Sequence, residues 1–133
     1  MTNEARGDPD GPGGPDGRPD PACPFCRIVA GELPSRRLGE TDRSVAFADI
    51  DPRAPLHALV VPRVHRRDVA ALGPADGELL ADLVALANRC AAEQGVAAGG
   101  YRLVLNVGDD AGNSVPHLHL HLLGGRRLGW PPG

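Results

Sequence analysis

At 133 residues with a formal net charge of −3 at pH 7, the chain is sized for one domain with a core of its own. Two basic and five acidic residues fall in the first twenty, MTNEARGDPDGPGGPDGRPD, so residues 21–133 carry twelve of each. A neutral body with 3 % aromatic residues and no basic run excludes a dedicated nucleic-acid binder, which needs clustered Lys and Arg.

The first twenty residues are Gly, Pro and Asp with little to bury, which predicts a disordered tail over 1–20 and a folded domain over 21–133. No apolar run approaches the ~18 residues of a membrane span. The first apolar cluster arrives only at residues 28–30, which does not suit a signal peptide. The expectation is a soluble, cytoplasmic protein with no membrane partner.

CPFCRIVAGEL, residues 23–33, reads as a short helix with Pro24 in its first turn and Gly31 closing it. In RLGETDRSVAFADI a turn precedes the strand SVAFADI, and DPRAP links it to LHALVVP, an apolar run stopped by Pro62. These two strands should pair. From Pro74 to about Val96 runs a long amphipathic helix whose stripe is Leu79, Leu80, Leu83, Val84, Leu86 and Ala87, with Gly95 near its end. YRLVLNV is a further strand, GDDAGNS a polar turn, and PHLHLHLL a returning strand. Helix, strands, helix, strands predicts an α+β domain with a mostly antiparallel sheet covered on one face.

The returning strand carries the chemistry. Its alternation puts His117, His119 and His121 on one face and Leu118, Leu120 and Leu122 on the other. The leucines should lie on the long helix and the imidazoles on the open face. At ~3.3 Å per residue the outer two rings are rooted about 13 Å apart, too far to grip one ion without a bend, so the row serves two jobs. The chain's other histidines, His57 and His65, sit near the start of LHALVVP and just past its end. Cys23 and Cys26 have the C-x2-C spacing that lets two thiolates converge on a tetrahedral ion, with two histidines completing the set. A redox pair is the alternative, although no βαβ context follows it. Cys90, inside the long helix, reads as a small buried side chain.

Taken together, CPFCRIVAGELPS, AFADIDPRAPLHALVVPRVH, YRLVLNVGDDAGNSVPHLHLHLLGG and the closing GWPPG resemble the histidine triad (HIT) family. HLHLHLL fits its His-φ-His-φ-His-φ-φ motif, φ being apolar, and WPPG points to the Hint branch rather than the dinucleotide-hydrolysing Fhit branch. The resemblance implies a HIT-like fold: about five strands, mostly antiparallel, one short and one long helix, and a sheet continued across a homodimer. It implies a phosphoramidase that takes a purine nucleoside monophosphate or phosphoramidate and cleaves a P–N bond through a covalent nucleotidyl-histidine.

By motif position His119 would be the nucleophile, its other nitrogen held by a backbone carbonyl. His57 and His121 would flank the phosphate, and Ser114 would offer a hydroxyl to the phosphate or the departing amine. Asn106 would donate an amide and Gly112 would let the phosphate approach. Asp49 and Ile50 would meet ribose and base, with Phe25, Ile28, Leu33 and Phe47 forming the rest of the wall. Structural Zn2+ would sit on Cys23, Cys26, His65 and His117, with no organic cofactor. Trp130 would reach across the dimer. A catalytic zinc on the H-x-H pair, a non-catalytic purine-nucleotide-binding module and a dinucleoside polyphosphate hydrolase are the alternatives.

Overall fold

The computed structural model describes residues 17–133, so the tail expected over residues 1–20 lies mostly outside the described residues. The elements are α1 (Pro24–Val29), β1 (Arg37–Glu40), β2 (Ser44–Ala48), β3 (Leu56–Pro62), α2 (Gly77–Glu93), β4 (Tyr101–Leu105) and β5 (Leu120–Gly124). The strands form one sheet in the order β1-β2-β3-β5-β4, antiparallel at every pairing.

β1 is a strand where the sequence reads only a turn approach. RLGE is short, charged at both ends and contains a glycine, so nothing local favours extension. Pairing with β2 makes it a strand, with a register shift between Arg37 and Gly39. Gly39 lies where β1 crosses α2. A Cβ there would sit 3.0 Å from Arg89 Nη2 and 3.2 Å from Leu86 Cδ1, so a side chain would have to displace one or both of these side-chain ends.

After β3 the chain crosses the sheet through α2 and enters β4 one place too far out, and β5 folds back into the gap. This insertion sets the histidine strand against β3, pairing His57 with Leu123 and Leu59 with His121. The long helix is also shorter than the periodicity predicts. Pro74–Asp76 form a 3-10 turn, Asp76 accepts the Gly73 amide at 2.9 Å, and α2 ends at Glu93 ahead of Gly95 with φ 80°.

Leu79, Leu83, Leu86, Ala87, Cys90 and Ala91 are the buried stripe of α2, with Leu80 and Val84 at its margin. Leu83, Leu86, Ala87, Cys90 and Ala91 pack on Ala46, Ala58, Val60, Leu118, Leu120 and Leu122. Each fully buried Leu or Val favours folding by ~1.5–3 kcal/mol, so this is the principal core.

The opposite sheet face is not open, which corrects the one-sided covering expected from the sequence. α1 lies there in a second cluster with Val45, Phe47, Leu59 and Val61. Arg37 Nη2 fastens it by donating to the carbonyls of Ile28 and Val29 at 2.8 and 3.1 Å. β3 is therefore buried at all seven positions, which explains its continuous apolar run. For the same reason His117 is wholly buried and His119 and His121 are half-buried. No helix among the described residues is long and apolar enough to cross a membrane.

Candidate active site

The histidine row splits because β5 starts late. Regular pairing begins at Leu120, so residues 117–119 precede the strand and not all of PHLHLHLL is extended ladder. The Leu118 amide donates instead to the Arg66 carbonyl at 2.6 Å. Leu118, Leu120 and Leu122 still face α2, while His117 joins the cysteines, His121 stays beside His57 and His119 stays beside His121.

Three hydrogen bonds assign the protons of the inner rings. His119 Nδ1 lies 2.7 Å from the His117 carbonyl, so it donates there and its Nε2 carries the lone pair. His57 Nδ1 accepts the Arg53 amide at 3.0 Å, which places the His57 proton on Nε2. That Nε2 is 3.0 Å from His121 Nδ1 and 3.3 Å from Asp49 Oδ2. Donation to His121 Nδ1 leaves the His121 proton on Nε2. Two rings with centroids 5.0 Å apart therefore offer opposite groups, a bare nitrogen on His119 and an N–H on His121. Burial lowers the pKa of His57 and His119, and brings His121 to about 4, so all three are neutral at pH 7.

Asp49, His57 and His121 also converge within metal-binding distance, their donor atoms lying within 4.8 Å of one another. The tautomers argue against an ion there. The one lone pair of neutral His57 is on Nδ1 and is already taken by Arg53.

The second set is Cys23, Cys26, His65 and His117, all buried, with donor atoms within 4.8 Å of one another. Cys23 Sγ to His117 Nδ1 and Cys26 Sγ to His65 Nδ1 are both 3.3 Å, and Cys26 Sγ to His117 Nδ1 is 3.5 Å. A tetrahedral Zn2+ with bonds of ~2.3 Å to sulfur and ~2.0 Å to nitrogen sets S···N edges near ~3.5 Å, so the cluster has the dimensions of such a shell. His117 Nε2 donates to the Pro62 carbonyl at 3.0 Å, which turns the Nδ1 lone pair toward the sulfurs. The amides of Cys26 and Asp20 point at the sulfurs of Cys23 and Cys26, at 3.3 and 3.4 Å, and support negative charge on them. Without a cation, burial pushes the Cys23 thiol up to about 11 and His117 down to about 4. A cation would displace the thiol protons and meet a His117 Nδ1 that is already bare.

The sequence profile of the HIT domain family matches residues 30–128. The chain belongs to the HIT domain family. It is 41 % identical over 109 residues to an uncharacterised HIT-like protein of Synechocystis, covering 82 % of this chain and 95 % of that one. A crystal structure of a HIT family hydrolase from Legionella pneumophila superposes with a TM-score of 0.81 at 44 % identity, over 84 % of this chain and 99 % of that one. The histidine triad nucleotide-binding protein of Candida albicans superposes with a TM-score of 0.70 at 29 % identity, over 83 % of each chain.

Within this HIT domain the other expected positions scatter. Phe25 is buried beside Phe47 in the core under α1, yet its ring also stands edge-on to His119 at 5.1 Å and His117 at 5.9 Å. Ile28 packs on the same cluster, Leu33 is half-buried, and Ile50 is fully exposed. Asn106 follows β4, half-buried, and Ser114 is exposed. Gly112 has φ 79°, a left-handed conformation that favours glycine although a Cβ there would meet nothing within 4 Å. Trp130 is 82 % exposed, with the Arg102 guanidinium 6.0 Å from its ring.

Hydrogen bonds, an ion pair and ring contacts thus join His57, His119, His121, Asp49 and Phe25, while among the described residues no such interaction ties Ser114, Asn106 or Gly112 to them. Three partners escape sequence reasoning: the Asp49 carboxylate against His57, the Arg53 amide and the Pro62 carbonyl. The last two are backbone groups, which every residue carries, so no side-chain pattern could mark them.

The neutral rings set an acid limit on stability. Unfolded histidines titrate near 6.5, whereas folded His117 and His121 titrate near 4. Between those values the unfolded chain binds more protons, so stability falls as pH drops from about 6.5 to about 4 and levels below. For wholly buried His117 in the metal-free chain the loss is on the order of 3 kcal/mol. Urea titrations of metal-free protein at pH 7.5 and 4.5 should give a clearly lower midpoint in acid. Equal midpoints would show that the rings are solvated.

Proposed function

We propose that this HIT domain, over residues 21–133, is a Hint-branch hydrolase of purine nucleoside 5'-phosphoramidates that works through a nucleotidyl group on His119. One observation carries the reading: the His117 carbonyl holds His119 Nδ1–H at 2.7 Å and leaves Nε2 bare beside the His121 N–H. The hydrolase from Legionella pneumophila and the nucleotide-binding protein from Candida albicans, similar along most of the chain, support hydrolysis and nucleotide binding in general.

His119 Nε2 attacks the α-phosphorus, an N–P bond forms, and the bond to the departing amine breaks. The positive charge that develops on the imidazole is stabilised through Nδ1–H by the His117 carbonyl. His121 donates Nε2–H to a phosphoryl oxygen. A neutral imidazole cannot surrender that proton without becoming an anion, and neither can a hydroxyl, so the departing amine takes its proton from solvent water while the Ser114 hydroxyl would only hydrogen-bond to it. Water then opens the nucleotidyl-imidazole, releasing the nucleoside monophosphate and neutral His119.

Asp49 and exposed Ile50 would present a carboxylate and an apolar surface to ribose and purine, with Phe25 and Ile28 behind, while Asn106 and Gly112 would meet the phosphate from the β4 side. Cys23, Cys26, His65 and His117 would hold Zn2+; four protein ligands close its shell, so its contribution is to tie α1 to the sheet. Such a thiolate site suits a reducing, cytoplasmic setting. β4 ends the sheet, and pairing of two copies along this side would make the homodimer and bring Trp130 near the partner's site.

Rates on an adenosine phosphoramidate and on a diadenosine polyphosphate test the reading. Faster release from the phosphoramidate is expected. Preference for the dinucleotide would reassign the enzyme to polyphosphate cleavage, and binding without turnover of either would reduce it to a binding module.

A further inference from the structure

One residue belongs to both sites. The His117 ring is gripped on two sides, its Nδ1 by the sulfurs of Cys23 and Cys26 and its Nε2–H by the Pro62 carbonyl. Its own carbonyl is the acceptor that sets the His119 tautomer. The sheet does not hold this carbonyl in place, because residues 117–119 lie before the paired part of β5. What holds it is the ring, the Leu118 amide on Arg66 and the His117 amide on the Val115 carbonyl at 2.9 Å. Phe25, carried on α1 between the two cysteines, adds a second contact from the cluster to the His119 ring.

We propose that His117 is a positioning residue that transmits the state of the Cys23–Cys26–His65–His117 cluster to His119: ligation of its ring fixes the carbonyl that keeps the His119 lone pair on Nε2. This rests on the reading of His119 as nucleophile and of the cluster as a metal site. A cluster holding only thiol protons grips the His117 ring weakly, since S–H is a poor donor. The carbonyl then keeps its two amide anchors but loses the side-chain one, gains freedom to tilt, and neutral His119 also samples the tautomer with its proton on Nε2. That form has no lone pair for phosphorus. Ion occupancy therefore governs the fraction of competent nucleophile as well as the bracing of α1.

The test uses the full chain labelled with 15N in its histidines. In protein reconstituted with Zn2+, the 15N shifts of His119 should report a single Nδ1–H tautomer at pH 7.5. In folded metal-free protein they should report a mixture, and kcat should fall about tenfold or more with KM changed less.

Should the metal-free chain not fold, zinc-loaded His117→Ala leaves Cys23, Cys26 and His65 to hold the ion and α1, and cuts residue 117 itself loose from the cluster. It should show the same tautomer mixture and the same loss in kcat. A single Nδ1–H tautomer in either folded form overturns the proposal. Zinc that fails to bind at all overturns it together with the metal-site reading. An absent nucleotidyl adduct on His119 in zinc-loaded protein with a single tautomer overturns instead the nucleophile reading, and with it this proposal's consequence for turnover.

Discussion

His119→Ala should lose at least ~10⁴-fold in turnover of an adenosine phosphoramidate and accumulate no nucleotidyl-protein, as expected when a covalent nucleophile is removed. The size follows from the tautomers. His57 has its lone pair on Nδ1, turned toward the Arg53 amide, and His121 has its lone pair on Nδ1, turned toward His57. Neither can swing a bare nitrogen to phosphorus without breaking the hydrogen bond that places it. Intact-protein mass spectrometry of a quenched reaction checks this against wild type, alongside steady-state rates. An adduct of unchanged mass and abundance in the alanine variant would move the nucleophile elsewhere.

Removing the ion should have the largest effect on stability. α1 and its N-terminal cap contribute Cys23, Phe25 and Cys26 to the second cluster, and two of those three belong to the Cys/His set that could hold a metal. Structural zinc in small peptides is worth ~10 kcal/mol or more, but here the α2 core stands without it, so only part of that is expressed as global stability. A chelator with reductant should lower the melting temperature by about 10–20 °C. Hydrogen exchange should accelerate first in residues 24–29 while α2 stays protected. If protein shown by elemental analysis to be metal-free melts at the same temperature, the cluster is not a structural metal site.

Much of the fold is legible along the chain where a pattern is long and periodic. LHALVVP coincides with β3, the apolar stripe from Leu79 to Ala87 coincides with the buried face of α2, and the His/Leu alternation orients Leu118, Leu120 and Leu122 onto that helix. The C-x2-C pair at Cys23 and Cys26 likewise announces itself by spacing, and the histidine triad by its repeat. β1 does not, because four residues with a glycine carry no period and become a strand only by meeting β2.

By itself the sequence determined the long periodic segments, β1 excepted, which of their faces are apolar, and where the histidines and the cysteine pair fall, since those properties are local to each residue and its near neighbours. Tertiary structure alone decided that β5 enters between β3 and β4, that α1 closes over the second face, and that His117 parts company with His119 and His121. It also decided the tautomers, through the Arg53 amide and the carbonyls of His117 and Pro62. Strand order depends on contacts far apart in the chain, and backbone donors and acceptors are the same at nearly every residue, so neither leaves a mark that reading along the sequence can find.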